Sequence, residues 1–202
     1  MKNIIYPILL LLVACVSEPS DDKKMDINES TEPTITFEFK TIGEPDSNKM
    51  KKVTSIQVLN KGQIHQILEG FESEVQENED VIVEDLNFDG YPDIRLLQYL
   101  PATPNIPYYY WLYDNNSDKY VRNTEMEKIT SPALDMNNQY ILSQWSKSRT
   151  LVGTDYYQFK GHQLIFIKQD TREYSDANTY VLTVKKSIGD SLQVVKRELI
   201  KE

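Results

Sequence analysis

The chain of 202 residues is poor in the side chains that most often carry chemistry, with one cysteine, two histidines, seven glycines and two tryptophans. A single thiol, Cys15, excludes an intrachain disulfide and a thiolate metal cluster. There is no nucleophile-elbow serine, no His-Glu-x-x-His helix and no phosphate-cradling glycine loop. His65 and His162 lie beside turn residues, lack neighbours that would suggest a metal site, and read as surface side chains. The expectation is therefore a protein that is not an enzyme. A glycosidase-type carboxylate pair stays open, because its members need be neighbours only in space. Basic charge is also in deficit, since 22 Lys and Arg stand against 31 Asp and Glu for a net charge of −9. That balance argues against nucleic acid, whose binding depends on neutralising phosphates. It favours cationic partners through long-range attraction, or serves solubility alone.

Long apolar runs are confined to the amino terminus. Behind Lys2, the stretch from Ile4 to Ala14 is apolar for about eleven residues and stops at Cys15. A spanning helix needs about twenty residues; a short apolar core behind a positive end is a secretory signal. Leu12-Val13-Ala14-Cys15 resembles the lipobox of bacterial lipoproteins. The resemblance implies cleavage before Cys15, diacylglycerol on its sulfur and acylation of the new amino group; two or more acyl chains anchor a protein stably. The alternative is an ordinary secretory peptide with an incidental cysteine. Residues 15–33 are polar and without apolar periodicity, as in Ser17-Glu18-Pro19-Ser20-Asp21-Asp22, and read as a disordered tether. The expected organisation is a signal peptide over 1–14, a lipidated tether over 15–33 and one domain over 34–202, large enough for a proper core. The expected location is the outer membrane, lipid-anchored, facing the periplasm or the cell surface. The acidic stretch after Cys15 resembles the export signal of surface-displayed lipoproteins.

From Thr34 onward, apolar and β-branched runs alternate with turn residues. Thr34 to Lys40 alternates as a half-buried strand, and Val53–Leu59 with Gln63–Leu68 flank the turn Asn60-Lys61-Gly62. Further strands are expected at Val81–Val83, Ile94–Tyr99, Tyr108–Tyr113, Lys119–Arg122, Tyr140–Trp145, Tyr156–Phe159, Leu164–Lys168, Tyr180–Lys185 and Leu192–Leu199. Thr124 to Ile129 suits one short helix capped by Thr124. The pattern predicts an all-β domain, an antiparallel meander of hairpins, propeller-like or closed as a barrel.

The sharpest motif is Asp85-Leu86-Asn87-Phe88-Asp89-Gly90-Tyr91-Pro92-Asp93. Calcium takes six to eight oxygens, so alternating carboxylates and amides on a tight turn suit it. Asp85, Asn87 and Asp89 hold the first, third and fifth loop positions, Tyr91 offers a carbonyl at the seventh, and Asp93 a carboxylate at the ninth. The twelfth position is Leu96 where an EF-hand needs glutamate, and strands rather than helices flank the loop. The motif resembles the calcium loops between β-strands of integrin-like propeller proteins, which implies a weak, structural Ca²⁺ site. An Asx-rich turn that holds its shape without metal is the alternative.

Two more stretches extend a resemblance: Tyr108 to Asp114 followed by Lys119 to Asn123 and Glu125, and Gly153 to Ile165. With the acidic loop, they resemble a family of bacterial periplasmic lipoproteins that includes immunity proteins against peptidoglycan hydrolases delivered by type IV secretion. Its members are similar to periplasmic lysozyme inhibitors, which implies a propeller-like domain with bound calcium and an inhibitory loop. The similarity covers Val81 to Gln169. It implies a function of binding and inhibiting a cell-wall hydrolase, with the loop from Ser146 to Thr154 as the inhibitory candidate and Arg149 and Tyr156 as its contacts. The alternative is a non-catalytic binding module for glycan or another envelope protein. For that reading Leu100 to Pro107, stiffened by three prolines, and the aromatic run ending in Trp111 are candidate surfaces.

Overall fold

The computed structural model describes residues 37–45, 50–76, 81–189 and 191–202. The signal segment, Cys15 and the tether lie outside the described residues. Ile35–Glu202 form one compact unit, and both hydrophobic clusters described below are built within it.

Three antiparallel sheets follow one another along the chain. The first contains β1 (Phe37–Pro45), β2 (Met50–Asn60), β3 (Gln63–Leu68) and β4 (Ser73–Gln76), with β2 central and β3 and β4 sharing one of its edges. The second runs β5 (Ile82–Glu84), β6 (Asp93–Leu97), β7 (Tyr108–Asp114) and β8 (Lys119–Arg122). The third is six-stranded: β9 (Pro132–Asp135), β10 (Tyr140–Ser146), β11 (Leu151–Lys160), β12 (Gln163–Tyr174), β13 (Thr179–Ile188) and β14 (Ser191–Lys201). The expected all-β meander of hairpins is what forms. The barrel is not: among the described residues no pairing joins the first and last strands of any sheet. Tight turns set the registers. Asn60 pairs with Gln63 across Lys61 (φ 51) and Gly62 (φ 77), the two left-handed positions of a two-residue hairpin.

The aromatic run of β7 explains how the sheets stack. Odd positions Trp111 and Tyr113 join a cluster with Val53, Ile56 and Val75 of the first sheet and Ile94 and Leu96 of the second. Even position Tyr110 joins Leu86, Met126, Ile129, Ile141, Tyr157 and Leu164. A strand alternates its side chains between faces, so β7 is covered on both, and the second sheet lies between the other two. Trp111 and Tyr110 are 2% and 0% exposed. This corrects the glycan-stacking expectation for that run: burial of such rings is the main source of core energy.

Two further corrections concern local structure. The short helix expected over Thr124 to Ile129 forms as a single 3-10 turn at Met126–Lys128, but Thr124 does not cap it with its side chain. Asn123 Oδ1 accepts the Met126 N–H at 3.1 Å, and Thr124 contributes only its carbonyl, to the N–H of Glu127 at 3.3 Å. The nine-residue loop expected from Ser146 to Thr154 contracts to residues 147–150, because Trp145 pairs with Gly153 and Ser146 with Val152.

Candidate functional site

The acidic loop joins β5 to β6 as a run of Asx turns. Asp85 accepts the N–H of Asp89 on Oδ1 at 3.1 Å and that of Gly90 on Oδ2 at 3.0 Å. Asn87 Oδ1 accepts the Asp89 N–H at 3.0 Å, and Asp89 Oδ1 accepts the Tyr91 N–H at 2.9 Å. Phe88 (φ 62) and Gly90 (φ 89) supply the left-handed turns that bring these three side chains to one side. Each oxygen keeps a lone pair, and hard oxygen donors of this kind suit a calcium-like cation.

Asp93 is placed differently. It is 0% exposed, and both of its oxygens are engaged by backbone. Oδ2 accepts the N–H groups of Leu86 at 2.9 Å and Asn87 at 3.3 Å, and Oδ1 accepts that of Tyr113 at 2.8 Å. Burial pushes its carboxyl up to about 7, against the pull of the Tyr113, Leu86 and Asn87 amides and with some help from Asp89. Among the described residues, no three His, Cys, Asp or Glu side chains gather as a metal cluster. A cation held by this loop would meet the carboxylates of Asp85 and Asp89, the Asn87 amide oxygen and the Tyr91 carbonyl, whereas Asp93 pins the loop to β7.

A second site lies on the third sheet. One face of that sheet, carrying Ile141, Tyr157 and Leu164, is core. The opposite face carries the alternate residues. Register sets Gln144 beside Thr154 and Thr154 beside Asp170; Val152 stands beside Arg172, and Arg172 beside Leu182. This face opens into a cavity of about 680 Å³, bordered also by Tyr156 and by Pro104 at one end. Lys168 lies 3.8 Å above the Tyr156 ring and pairs with Asp170 Oδ2 at 3.0 Å. Asp170 Oδ1 is buried and has no hydrogen-bond partner. Burial raises the Tyr156 hydroxyl pKa, the Asp170 carboxylate adds to the rise, and the Lys168 ammonium opposes it. The arrangement offers an aromatic ring, an amide, a guanidinium and a carboxylate with a spare oxygen, which suits an amphipathic ligand with hydroxyl or amide groups.

Of the two expected contacts, the structure sets Tyr156 in this cavity and Arg149 apart from it. Arg149 lies on the β10–β11 turn, in a shallow depression with Tyr174 at the end of β12 and Asp176 of the β12–β13 connection. The proline-stiffened loop reaches the same end of the sheet as the cavity. Asn105 clamps the edge of β10, donating to the Ser146 carbonyl at 2.9 Å and accepting its N–H at 2.7 Å. Sequence reasoning passed over Gln144, Asp170 and Arg172. The signal for the last two was there, since Lys168, Asp170 and Arg172 recur every second residue along one strand face.

No protein-family model and no curated protein matches the chain. Among solved structures, the fold is similar to one described as that of a Xanthomonas type IV secretion system related protein. The TM-score is 0.64 at 17% identity, over 78% of this chain and 87% of that one. At that identity the likeness is one of fold.

Proposed function

We propose that this chain is an envelope lipoprotein, held through lipid on Cys15, that binds and inhibits a cell-wall hydrolase without catalysing a reaction itself. The observation that carries the reading is the open cavity on the third sheet. It is a preformed, half-polar recess at Tyr156, on a scaffold whose other large aromatic residues are mostly spent on the core. The fold shared with the secretion-related Xanthomonas protein supports an envelope setting, and the acidic net charge favours fast encounter with basic hydrolases. Calcium at Asp85, Asn87 and Asp89 would stiffen the loop joining β5 to β6.

The test is lysis of purified cell walls by a panel of peptidoglycan hydrolases, with the Thr34–Glu202 domain and calcium added. Inhibition of one enzyme at stoichiometric concentration, weakened in Tyr156→Ala, is expected. If every hydrolase runs unimpeded while glycan fragments bind at the cavity, the reading gives way to a non-catalytic glycan-binding module. The ring-plus-planar-polar lining favours that second reading in particular.

A further inference from the structure

The third sheet continues past the point where the core needs it. Neither hydrophobic cluster includes a residue of β13 or β14, yet this hairpin exposes Ile188 (49%), Leu192 (44%), Val194 (57%), Val195 (47%) and Leu199 (58%). Pairing between β12 and β13 ends at Lys168 and Lys186. Beyond it Ile188 pairs with Ser191 and Ser187 with Leu192, so the tip stands clear of the sheet. Exposed apolar side chains on a long edge hairpin are a liability unless something covers them.

Charge says what the cover is. Between Asp176 and Glu198 the chain carries Lys185, Lys186, Lys196 and Arg197 against the single acid Asp190, in a protein of net charge −9. Register sets Lys185 opposite Val194, Lys196 opposite Val184 and Arg197 opposite Thr183. The four cations thus form a band roughly 7 to 17 Å behind Ile188, at about 3.4 Å per residue. Adjacent residues of a strand point to opposite faces, so the band surrounds the hairpin. Lys196 meets Glu198 at 2.6 Å, but its side chain remains 51% exposed.

We propose that the β13–β14 hairpin is a membrane-docking arm. Ile188 and Leu192 near its end enter the headgroup and acyl boundary of an anionic bilayer, and Lys185, Lys186, Lys196 and Arg197 meet the lipid phosphates. An interfacial element sinks about 5 to 10 Å, a depth that takes up the Ile188 and Leu192 side chains and stops at the first cations. A second copy of the chain fits less well. A two-fold contact puts the same surface of each copy together, so two cation-bearing hairpins would face each other, whereas phosphate neutralises them. The proposal is independent of the hydrolase reading.

The experiment is co-sedimentation of the Thr34–Glu202 domain, which lacks the lipid, with vesicles of phosphatidylcholine alone or mixed with phosphatidylglycerol. Binding to the mixed vesicles, little to phosphatidylcholine, and release by salt are expected. Lys185→Glu with Lys186→Glu should weaken binding by about tenfold or more. Ile188→Ser with Leu192→Ser should weaken it while leaving circular dichroism unchanged, since both side chains are already exposed. Failure to bind the mixed vesicles, or equal binding by all variants, would overturn the proposal. So would a dimer in sedimentation analysis that the tip variant abolishes while vesicle binding persists.

Discussion

The Asp93 carboxylate accepts the backbone N–H of Tyr113 at 2.8 Å, from the first residue of β6 to a core residue of β7. Its other oxygen holds Leu86 and Asn87, so one buried side chain ties the acidic loop to the strand shared by both hydrophobic clusters. Asp93→Ala leaves three amides without an acceptor, at a cost of about 1–3 kcal/mol for each one buried. The expected loss in urea denaturation is about 3 kcal/mol or more. Asp85→Ala and Asp89→Ala remove exposed turn bonds and should cost under about 1 kcal/mol. Calorimetric titration with calcium should behave in the opposite way, with heat lost in those two variants. Heat from the wild type that survives both would refute the proposed ligand set.

Gly153 lies under the Trp145 ring. A Cβ at that position would approach Trp145 Cζ2 to 2.2 Å, and a rigid indole cannot yield as a flexible chain end does. Gly153→Ala should therefore destabilise by about 1–3 kcal/mol through overpacking, read as a lower thermal midpoint together with a change in tryptophan emission. An unshifted midpoint would mean that the ring moves aside freely.

Much of the fold was legible in the chain because hairpin chemistry is local. Lys119–Arg122 and Gln63–Leu68 form strands at the expected bounds, set by Asn, Asp and Gly turns whose backbone angles few other residues adopt. β4 and β9 were missed. Ser73–Gln76 has two apolar-face residues only, one of them a serine, and Pro132–Asp135 opens on proline. Both strands exist because a neighbour's edge pairs with them, which no local pattern reports. The same holds for the site. Tyr156 of β11 could be singled out in sequence, but its companions, Gln144 from β10 and Asp170 and Arg172 from β12, meet it only through register. The inward turn of Asp93 was also hidden, because a carboxylate bound to three amides looks the same in sequence as one free to bind a cation.

Alkaline pH should unfold the protein by way of its buried phenols. Burial, aided by Asp155, pushes the Tyr157 hydroxyl up to about 12, and burial raises Tyr110 and Tyr120 as well. In the unfolded chain these groups ionise near 10. The folded state therefore holds protons that the unfolded state releases, and stability falls as pH rises from about 10 through 12. Spectrophotometric titration should show exposed tyrosines ionising first and a second, cooperative step coinciding with loss of the far-ultraviolet β signal. Tyr157→Phe removes one such proton and should shift that step to higher pH. A single smooth titration with the fold intact would contradict the burial of these rings.

Arg149 and Arg172 separate the two surfaces on which a partner could sit. Arg172 borders the cavity with Tyr156, whereas Arg149 lies on the β10–β11 turn beside Asp176. Both side chains are exposed, so neither replacement should change stability by more than about 0.5 kcal/mol. If the partner inserts into the cavity, Arg172→Ala should weaken binding about tenfold or more, as loss of a charged contact at the centre of an interface does, and Arg149→Ala should leave it within about twofold. The measurement is the inhibition constant against the hydrolase that the domain inhibits, or glycan affinity by calorimetry. The reverse ranking would move the contact to the turn, where a short inhibitory loop carrying Arg149 would enter the partner's cleft.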